Sequence, residues 1–221
     1  MKIATWNVLS GTSEERASEM SDVDIIAFQE TSQTKNNQNC VWRGDEGSQT
    51  KGVSIWSPQF EFSIMAPNAS CSPGLAVCFK QTPLGDIQIL NLWAKPGPDY
   101  FDDLMKSLSA YEQFIERGPT IILGDFNISP RLSGKKQKFE RLMWTLEEKF
   151  GLSSAYHKYF NEDFGCETRP TLYHLKKEDR PFHIDFVFLP RALLPRLKSV
   201  TVPNFKAFSA SDHRPVICAF E

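Results

Sequence analysis

The apolar residues of this chain come in short runs broken by proline, glycine and polar clusters, and several of the runs finish in an acid or an amide. Asn7 follows "IATW", Glu30 follows "IIAF", Asp125 and Asn127 close "IILGDFN", Asp185 sits inside "HIDFVF", and Asp212 and His213 stand just ahead of "VICAF". Runs of this length and punctuation read as strands. The ends of strands on a packed scaffold are where a rigid fold can hold polar side chains so that they converge. A chain built this way is expected to be a multi-stranded sandwich with its chemistry at one rim.

Along the chain, "KIATWNV" reads as a strand. "TSEERASEM" reads as a helix capped by Thr12 or Ser13 with Glu15 in its first turn, and "DIIAFQE" as a buried strand. The polar "TSQTKNNQNC" reads as a loop. "GVSIWS", "FEFSIMA", "GLAVCFK" and "DIQILNLWA" read as consecutive antiparallel strands. "DYFDDLMKSLSAYEQFIE" carries Leu104, Leu108, Tyr111 and Ile115 at helical spacing and stops at Gly118-Pro119. A buried strand "TIILGDFN", a basic stretch "RLSGKKQK", a helix "FERLMWTLEEKF" and the strands "HIDFVFL", "LKSVTV" and "PVICAFE" complete the order. Helices interleaved with many strands point to an α/β (α+β) four-layered sandwich. In it, two mainly antiparallel β-sheets pack face to face and are flanked by helices. No repeat or linker divides the chain, so residues 1–221 are read as a single domain.

Composition narrows the function classes. A net charge of −2 gives no basic surface suited to strong nonspecific binding of duplex nucleic acid, although local basic loops remain. The five cysteines, Cys40, Cys71, Cys78, Cys166 and Cys218, are widely spaced and form no C-x-x-C pair, which argues against a disulfide framework and a thiolate zinc site. No stretch reaches membrane-spanning length and no secretory apolar region opens the chain. A soluble, monomeric, cytoplasmic protein is the expectation.

Each polar strand end has a structural explanation of its own. Asn7 can bond a neighbouring amide, Asp125 and Asn127 can form Asx-turns, Glu30 can be a solvated terminus, Asp212 a cap and His213 a surface residue. Asp185 lies within an apolar run and needs a partner there. The ordered set, taken together, suggests hydrolysis at phosphorus. Carboxylate and amide oxygens are hard ligands suited to Mg2+ or Mn2+. Such an ion can clamp a phosphate oxygen while an acid or imidazole orients the attacking water. Asp185 and His213 can pair, and Asp125 and Asn127, two positions apart on an extended segment, can face the same side.

"TWNV", "FQE", "GDFN", "HIDFVF" and "SDHRP", in this order from residue 5 to residue 215, resemble the endonuclease/exonuclease/phosphatase superfamily, which includes pancreatic-type DNases and apurinic endonucleases. The four-layered fold of that superfamily agrees with the strand pattern. The resemblance implies that Glu30 is the main metal ligand, with Asn7 and Asp212 near the ion or its waters. It also implies that Asp125 orients or deprotonates the water, that Asn127 positions the phosphate, and that Asp185 orients His213 against the scissile phosphate. Whether Asp125 or His213 is the base stays open.

Two departures stand out. Leu9 occupies the place where repair-type members carry an acid, which speaks against a second ion there. Trp93 stands where many members have a histidine, and an indole can donate a hydrogen bond but cannot transfer a proton. The general acid is therefore expected to be weaker than in the DNase branch, or drawn from elsewhere. Trp93 also reads as a core aromatic. Lys95, Arg169 and His174 are further candidates for contacting substrate, each with a solvated surface role as the alternative.

The expected function is a Mg2+- or Mn2+-dependent phosphoesterase, foremost a phosphodiesterase acting on nucleic acid or nucleotides. A phosphatase or phospholipase-like enzyme on a small phosphorylated or lipid substrate is the first alternative, and a noncatalytic binding module with the same fold is the second.

Overall fold

The computed structural model describes residues 1–45, 48–65, 74–95 and 99–221, with the side chains of residues 45, 48 and 49 excepted. The strands are β1 Lys2–Asn7, β2 Ile25–Thr31, β3 Cys40–Asp45, β4 Ser48–Trp56, β5 Phe62–Met65, β6 Gly74–Thr82, β7 Gly85–Trp93, β8 Thr120–Asp125, β9 Leu152–Ser154, β10 Leu172–Tyr173, β11 Pro181–Phe182, β12 Asp185–Pro190, β13 Leu197–Thr201 and β14 Val216–Phe220. The α-helices are α1 Ser13–Ser18, α2 Tyr100–Ala110, α3 Glu112–Glu116, α4 Lys136–Trp144 and α5 Ala155–Phe160.

Two six-stranded sheets form, in the orders β13-β14-β1-β2-β4-β3 and β5-β6-β7-β8-β12-β9. Only β1 with β2 and β7 with β8 run parallel; the other pairs in these sheets are antiparallel. A parallel pair requires a crossover connection, and the chain supplies α1 for the first pair and α2 with α3 for the second. Ile3, Ile25, Val53, Ile55, Val77, Ile89, Leu123 and Val187 fill the space between the sheets. On the outer face of the second sheet, α2 and α4 bury Leu104, Leu108, Phe139 and Leu142. On the outer face of the first, Ala17 of α1 and Met20 just after it pack with Trp6 and Phe28. The layers are helix, sheet, sheet, helix, as the strand pattern implied.

A polar seam crosses the otherwise apolar middle. Gln29 Nε2 donates to Thr5 Oγ1 at 2.9 Å and to Asn91 Oδ1 at 2.7 Å. Asn91 Nδ2 in turn donates to the carbonyls of Phe28 at 2.9 Å and Ser54 at 3.0 Å. Asn91 on β7 thereby ties the second sheet to β2 and β4 of the first, close beneath their polar ends.

Some details differ from the sequence reading. "CVWRGD" is a strand, because β3 zips onto β4 from Cys40↔Trp56 to Gly44↔Gly52, a long-range pairing that a polar flanking loop conceals. The long helix breaks at Tyr111, whose hydroxyl donates to the Gly74 carbonyl at 2.7 Å. Thr145–Lys149 widens into a π-helix after α4. Cys40, Cys78, Cys166 and Cys218 are free thiols, and Cys71 lies outside the described residues. Among the described residues, no helix is long and apolar enough to cross a membrane.

Gly124 is the tightest point of the second sheet. Its φ is +140°, and a Cβ there would lie 1.8 Å from the Leu92 carbonyl oxygen. Gly124→Ala is expected to lose at least about 3 kcal/mol in urea denaturation, or to be insoluble, since backbone rather than a flexible side chain blocks the methyl group. An unchanged midpoint would show that the β7–β8 ladder can open without cost.

Candidate active site

The parallel pairs bring their carboxyl ends to the same rim. Asn7 ends β1, Glu30 stands near the end of β2, Trp93 ends β7, and Asp125 ends β8 in register with Trp93. Antiparallel β12 starts at the same rim, with Asp185 directly opposite Asp125. His213 enters from the segment before β14, held by an isolated bridge to Leu172.

Asn7 joins the two sheets. Its Nδ2 donates to Glu30 Oε1 at 3.0 Å and to Asp125 Oδ2 at 2.9 Å. Its Oδ1 accepts from the Leu9 backbone at 3.0 Å, closing an Asx-turn that puts Leu9 at φ 61°. "GDFN" makes the equivalent turn, with Asp125 Oδ1 accepting from Asn127 N at 3.0 Å. Asn127, at φ 50°, adopts the left-handed conformation that asparagine tolerates. Its Nδ2 donates to Asp125 Oδ2 at 3.0 Å and to the Ala94 carbonyl at 2.9 Å. The turn reading of both motifs therefore holds, and the same turns assemble the cluster.

Glu30 is aimed by a β-bulge. Gln29 pairs with Val53 and Thr31 with Gly52, which leaves Glu30 as the extra residue, at φ 58°. A left-handed glutamate is strained by about 1 kcal/mol or more, a cost that bulges beside functional sites commonly carry. Its Oε2 holds the ammonium of Lys51.

On the opposite side, His213 Nδ1 donates to Asp185, 2.9 Å from Oδ2 and 3.1 Å from Oδ1, and both residues are buried. Three residues hold this pair in place, and none was singled out in the sequence. Thr171 Oγ1 accepts from the backbone N–H groups of Ile184 and Asp185 at 3.0 and 3.1 Å. Ser211 Oγ donates to the Asn7 carbonyl at 2.8 Å and accepts from His213 N at 3.0 Å. Arg214, fully enclosed, donates to the carbonyls of Asn204, Phe205, Phe208, Ser211 and His213. Its position in "SDHRP" was the one available signal, since a buried arginine whose hydrogen bonds go to carbonyls leaves no periodic trace.

Burial raises Asp125 to about 7, with the Asp185 charge adding to the shift; His213, Asn7 and the Asn127 backbone oppose it. For His213, burial alone would lower the pKa. The charge and hydrogen bond of Asp185, followed by the charges of Asp125 and Asp212, overcome that and raise it to about 10. The imidazole is thus held as a cation at neutral pH.

The candidate substrate residues fall in different places. Trp93 is buried at the end of the inter-sheet core, and its Nε1–H has no acceptor among the described residues. The backbone N–H of Lys95 donates to Asp103 Oδ2 at 3.2 Å. His174 lines a cavity that also includes Asn127. Arg169 is paired with Glu162 at 3.4 Å and lies over the Phe160 ring at 4.0 Å, so α5 and the segment after it account for its contacts.

Two sets of residues bear on cation binding. Asp125, Asp185 and His213 bring ligand atoms within 4.8 Å of one another, and a metal ion there requires His213 to give up its proton first. The second set is the one the family resemblance implies: Glu30, bonded to Asn7, already holds an ammonium, and Asp212 Oδ1 is buried without a hydrogen-bond partner among the described residues. Carboxylate oxygens of these two kinds are donors that a divalent cation takes.

The His213 pair should be visible in stability. Because folding raises its pKa from 6.5 to about 10, its contribution is complete below pH 6.5 and is lost as pH rises through 10. Urea denaturation in EDTA between pH 6.5 and 10 is expected to give wild type a downward slope steeper than His213→Gln by up to about 1 kcal/mol per pH unit. Parallel slopes would mean that the imidazole is not held charged.

No curated protein sequence matches the chain significantly. Solved structures match over its whole length. The 3′ phosphatase NExo from Neisseria, bound to product DNA hairpin, is 21% identical with a TM-score of 0.69, covering 100% of this chain and 99% of that one. An AP endonuclease from Archaeoglobus fulgidus is 16% identical with a TM-score of 0.73, over 100% and 99% of the two chains. The APE2 catalytic domain of Xenopus laevis is 16% identical with a TM-score of 0.72, over 100% and 91%. At these identities the likeness establishes the fold, that of DNase I. The profile of the Endonuclease/Exonuclease/phosphatase family matches residues 4–213, and with the ordered motifs gathered at one rim of the sandwich, this chain belongs to that family of hydrolases.

Proposed function

We propose that the protein is a Mg2+- or Mn2+-dependent phosphodiesterase acting on nucleic acid or nucleotides. The observation that carries the reading is a cavity of about 300 Å³ that opens onto Asn127, walled by Tyr100, Leu132, Leu172, Phe182 and Ile184, with His174 at its polar side. Aromatic and aliphatic walls next to the phosphate-positioning amide suit the sugar or base of a nucleotide whose phosphate lies on the polar cluster. A small hydrophilic phosphate ester would leave those walls without a partner.

In this reading Asn7, Glu30 and Asp212 would hold the ion, and when bound it would supply positive charge to the phosphate. Asp125, with a pKa near neutrality, accepts the proton of the attacking water. Asn127 donates to the phosphate from the same turn. His213, kept charged by Asp185, presents the ring nitrogen not bound to Asp185 to the developing negative charge. Trp93 adds a hydrogen bond from its unpartnered indole N–H. Lys95 and His174 supply positive charge or hydrogen bonds to the flanking phosphate or sugar, and the part assigned to Arg169 is a more distant substrate phosphate. A cytoplasmic, monomeric enzyme remains the proposal for setting.

The solved 3′ phosphatase bound to DNA favours a second reading, hydrolysis of a terminal phosphomonoester on a nucleic acid. The cavity would then hold the terminal nucleoside.

The test is Mg2+- or Mn2+-dependent turnover on duplex DNA, single strands, RNA, abasic DNA, 3′-phosphorylated DNA and small phosphomonoesters. Cleavage within the nucleic acid panel is expected, with His213→Ala and Asp125→Asn each reducing kcat by about 100-fold or more. Turnover of small phosphomonoesters alone would overturn the nucleic acid reading, and a fully active His213→Ala would overturn the catalytic assignment. Trp93→Phe preserves the ring packing and is expected to lower kcat/KM by about 10- to 100-fold, the worth of one hydrogen bond to a charged group. No effect would leave Trp93 as a core residue only.

A further inference from the structure

The ion pair between Lys51 and Glu30 lies at the seat assigned above to the divalent cation, and the backbone around it is arranged to make it. Glu30 is the extra residue of the β2 bulge. Across from it, Lys51 precedes Gly52, where a Cβ would come 2.3 Å from the Arg43 carbonyl oxygen. With no room for a side chain at residue 52, β4 runs close against β3 and Lys51 is delivered beside the bulge. Both Glu30 oxygens are then taken: Oε1 by Asn7 Nδ2 at 3.0 Å and Oε2 by the Lys51 ammonium. The Lys51 side chain is 40% exposed and that of Glu30 18%, so the ammonium can withdraw toward solvent without unfolding anything.

We propose that Lys51 is a resident counter-ion of the free protein, and that a divalent cation binds by displacing it from Glu30. An ammonium and a divalent ion cannot share one carboxylate oxygen at contact distance without strong mutual repulsion. The pairing keeps Glu30 neutralised in the ion-free state, and it makes ion affinity weaker than the ligand set alone would give. Specificity follows as well: a weakly charged cation gains little from the exchange, whereas a doubly charged one wins on charge. The proposal rests on Glu30 being an ion ligand.

The experiment is calorimetric titration of Mn2+ alone into the EDTA-stripped full chain at fixed pH and ionic strength, with no substrate present. Lys51→Met is expected to bind Mn2+ about 2- to 5-fold more tightly than wild type, the worth of releasing a partly exposed ion pair. Lys51→Arg, which keeps the charge, is expected to stay near wild type, and Glu30→Gln to bind far more weakly than either. Lys51→Met binding at or below wild-type affinity, while Glu30→Gln loses binding, would overturn the role of Lys51 and leave the ion site intact. Wild-type Mn2+ affinity in Glu30→Gln would overturn the assignment of Glu30 and this proposal with it.

Discussion

The amide of Asn7 is the contact on which the site depends, because it is shared by carboxylates from both sheets. Glu30 belongs to the first sheet and Asp125 to the second, and one Nδ2 group donates to each. Like charges directly opposite in a sheet repel, and here Asp125 faces Asp185 in register. The structure offsets that repulsion with donors from Asn7 and Asn127, the His213 cation, and a proton affinity at Asp125 raised by burial. Removing any one of these leaves a buried acid uncompensated, which costs far more than an exposed one. The seam of Gln29 and Asn91 beneath holds the sheets at the separation this contact needs.

Topology explains why the acids stand at strand ends. In α/β sheets, ligands gather outside the carboxyl ends of parallel strands. Each sheet contains one parallel pair, and packing the sheets face to face places the two sets of carboxyl ends together. The antiparallel neighbours then add residues from their opposite termini, Asp185 from the start of β12 and His213 from just before β14. Convergence of residues spread from 7 to 213 is therefore a consequence of two crossover connections.

The parts of this arrangement legible in the sequence are those with local periodicity. Strand runs, turn residues and the acids that end the runs are all short-range patterns, and they yielded the layers and the motif residues together. What escaped depends on pairing across long separations. "CVWRGD" is a strand only because β4 lies beside it. Thr171 and Ser211 matter through single hydroxyl oxygens, and Arg214 through carbonyls gathered from a folded loop. Lys51 reads as a solvated lysine until the bulge at Glu30 is seen. The contacts of Arg169 were hidden for the same reason, since its partners, Glu162 and Phe160, come from a helix and loop that the strand pattern did not reveal.

The tryptophan at position 93 bears on how protons move in the proposed reaction. A histidine there could pass a proton to the leaving group; an indole cannot. His213 is not available as a base, because Asp185 holds it charged and a protonated imidazole has no lone pair left to accept a proton. The same charge makes His213 an effective partner for an oxyanion. Asp125, raised only to about 7, is the group whose proton affinity is matched to accepting one from water. The division of labour follows from burial acting on unlike groups in one cluster: an acid pushed toward neutrality can act as base, and an imidazole paired with a second acid stays a cation. With no proton donor at position 93, the proposed reaction leans on charge to stabilise the leaving alkoxide, from the His213 cation and from the cation proposed at Glu30.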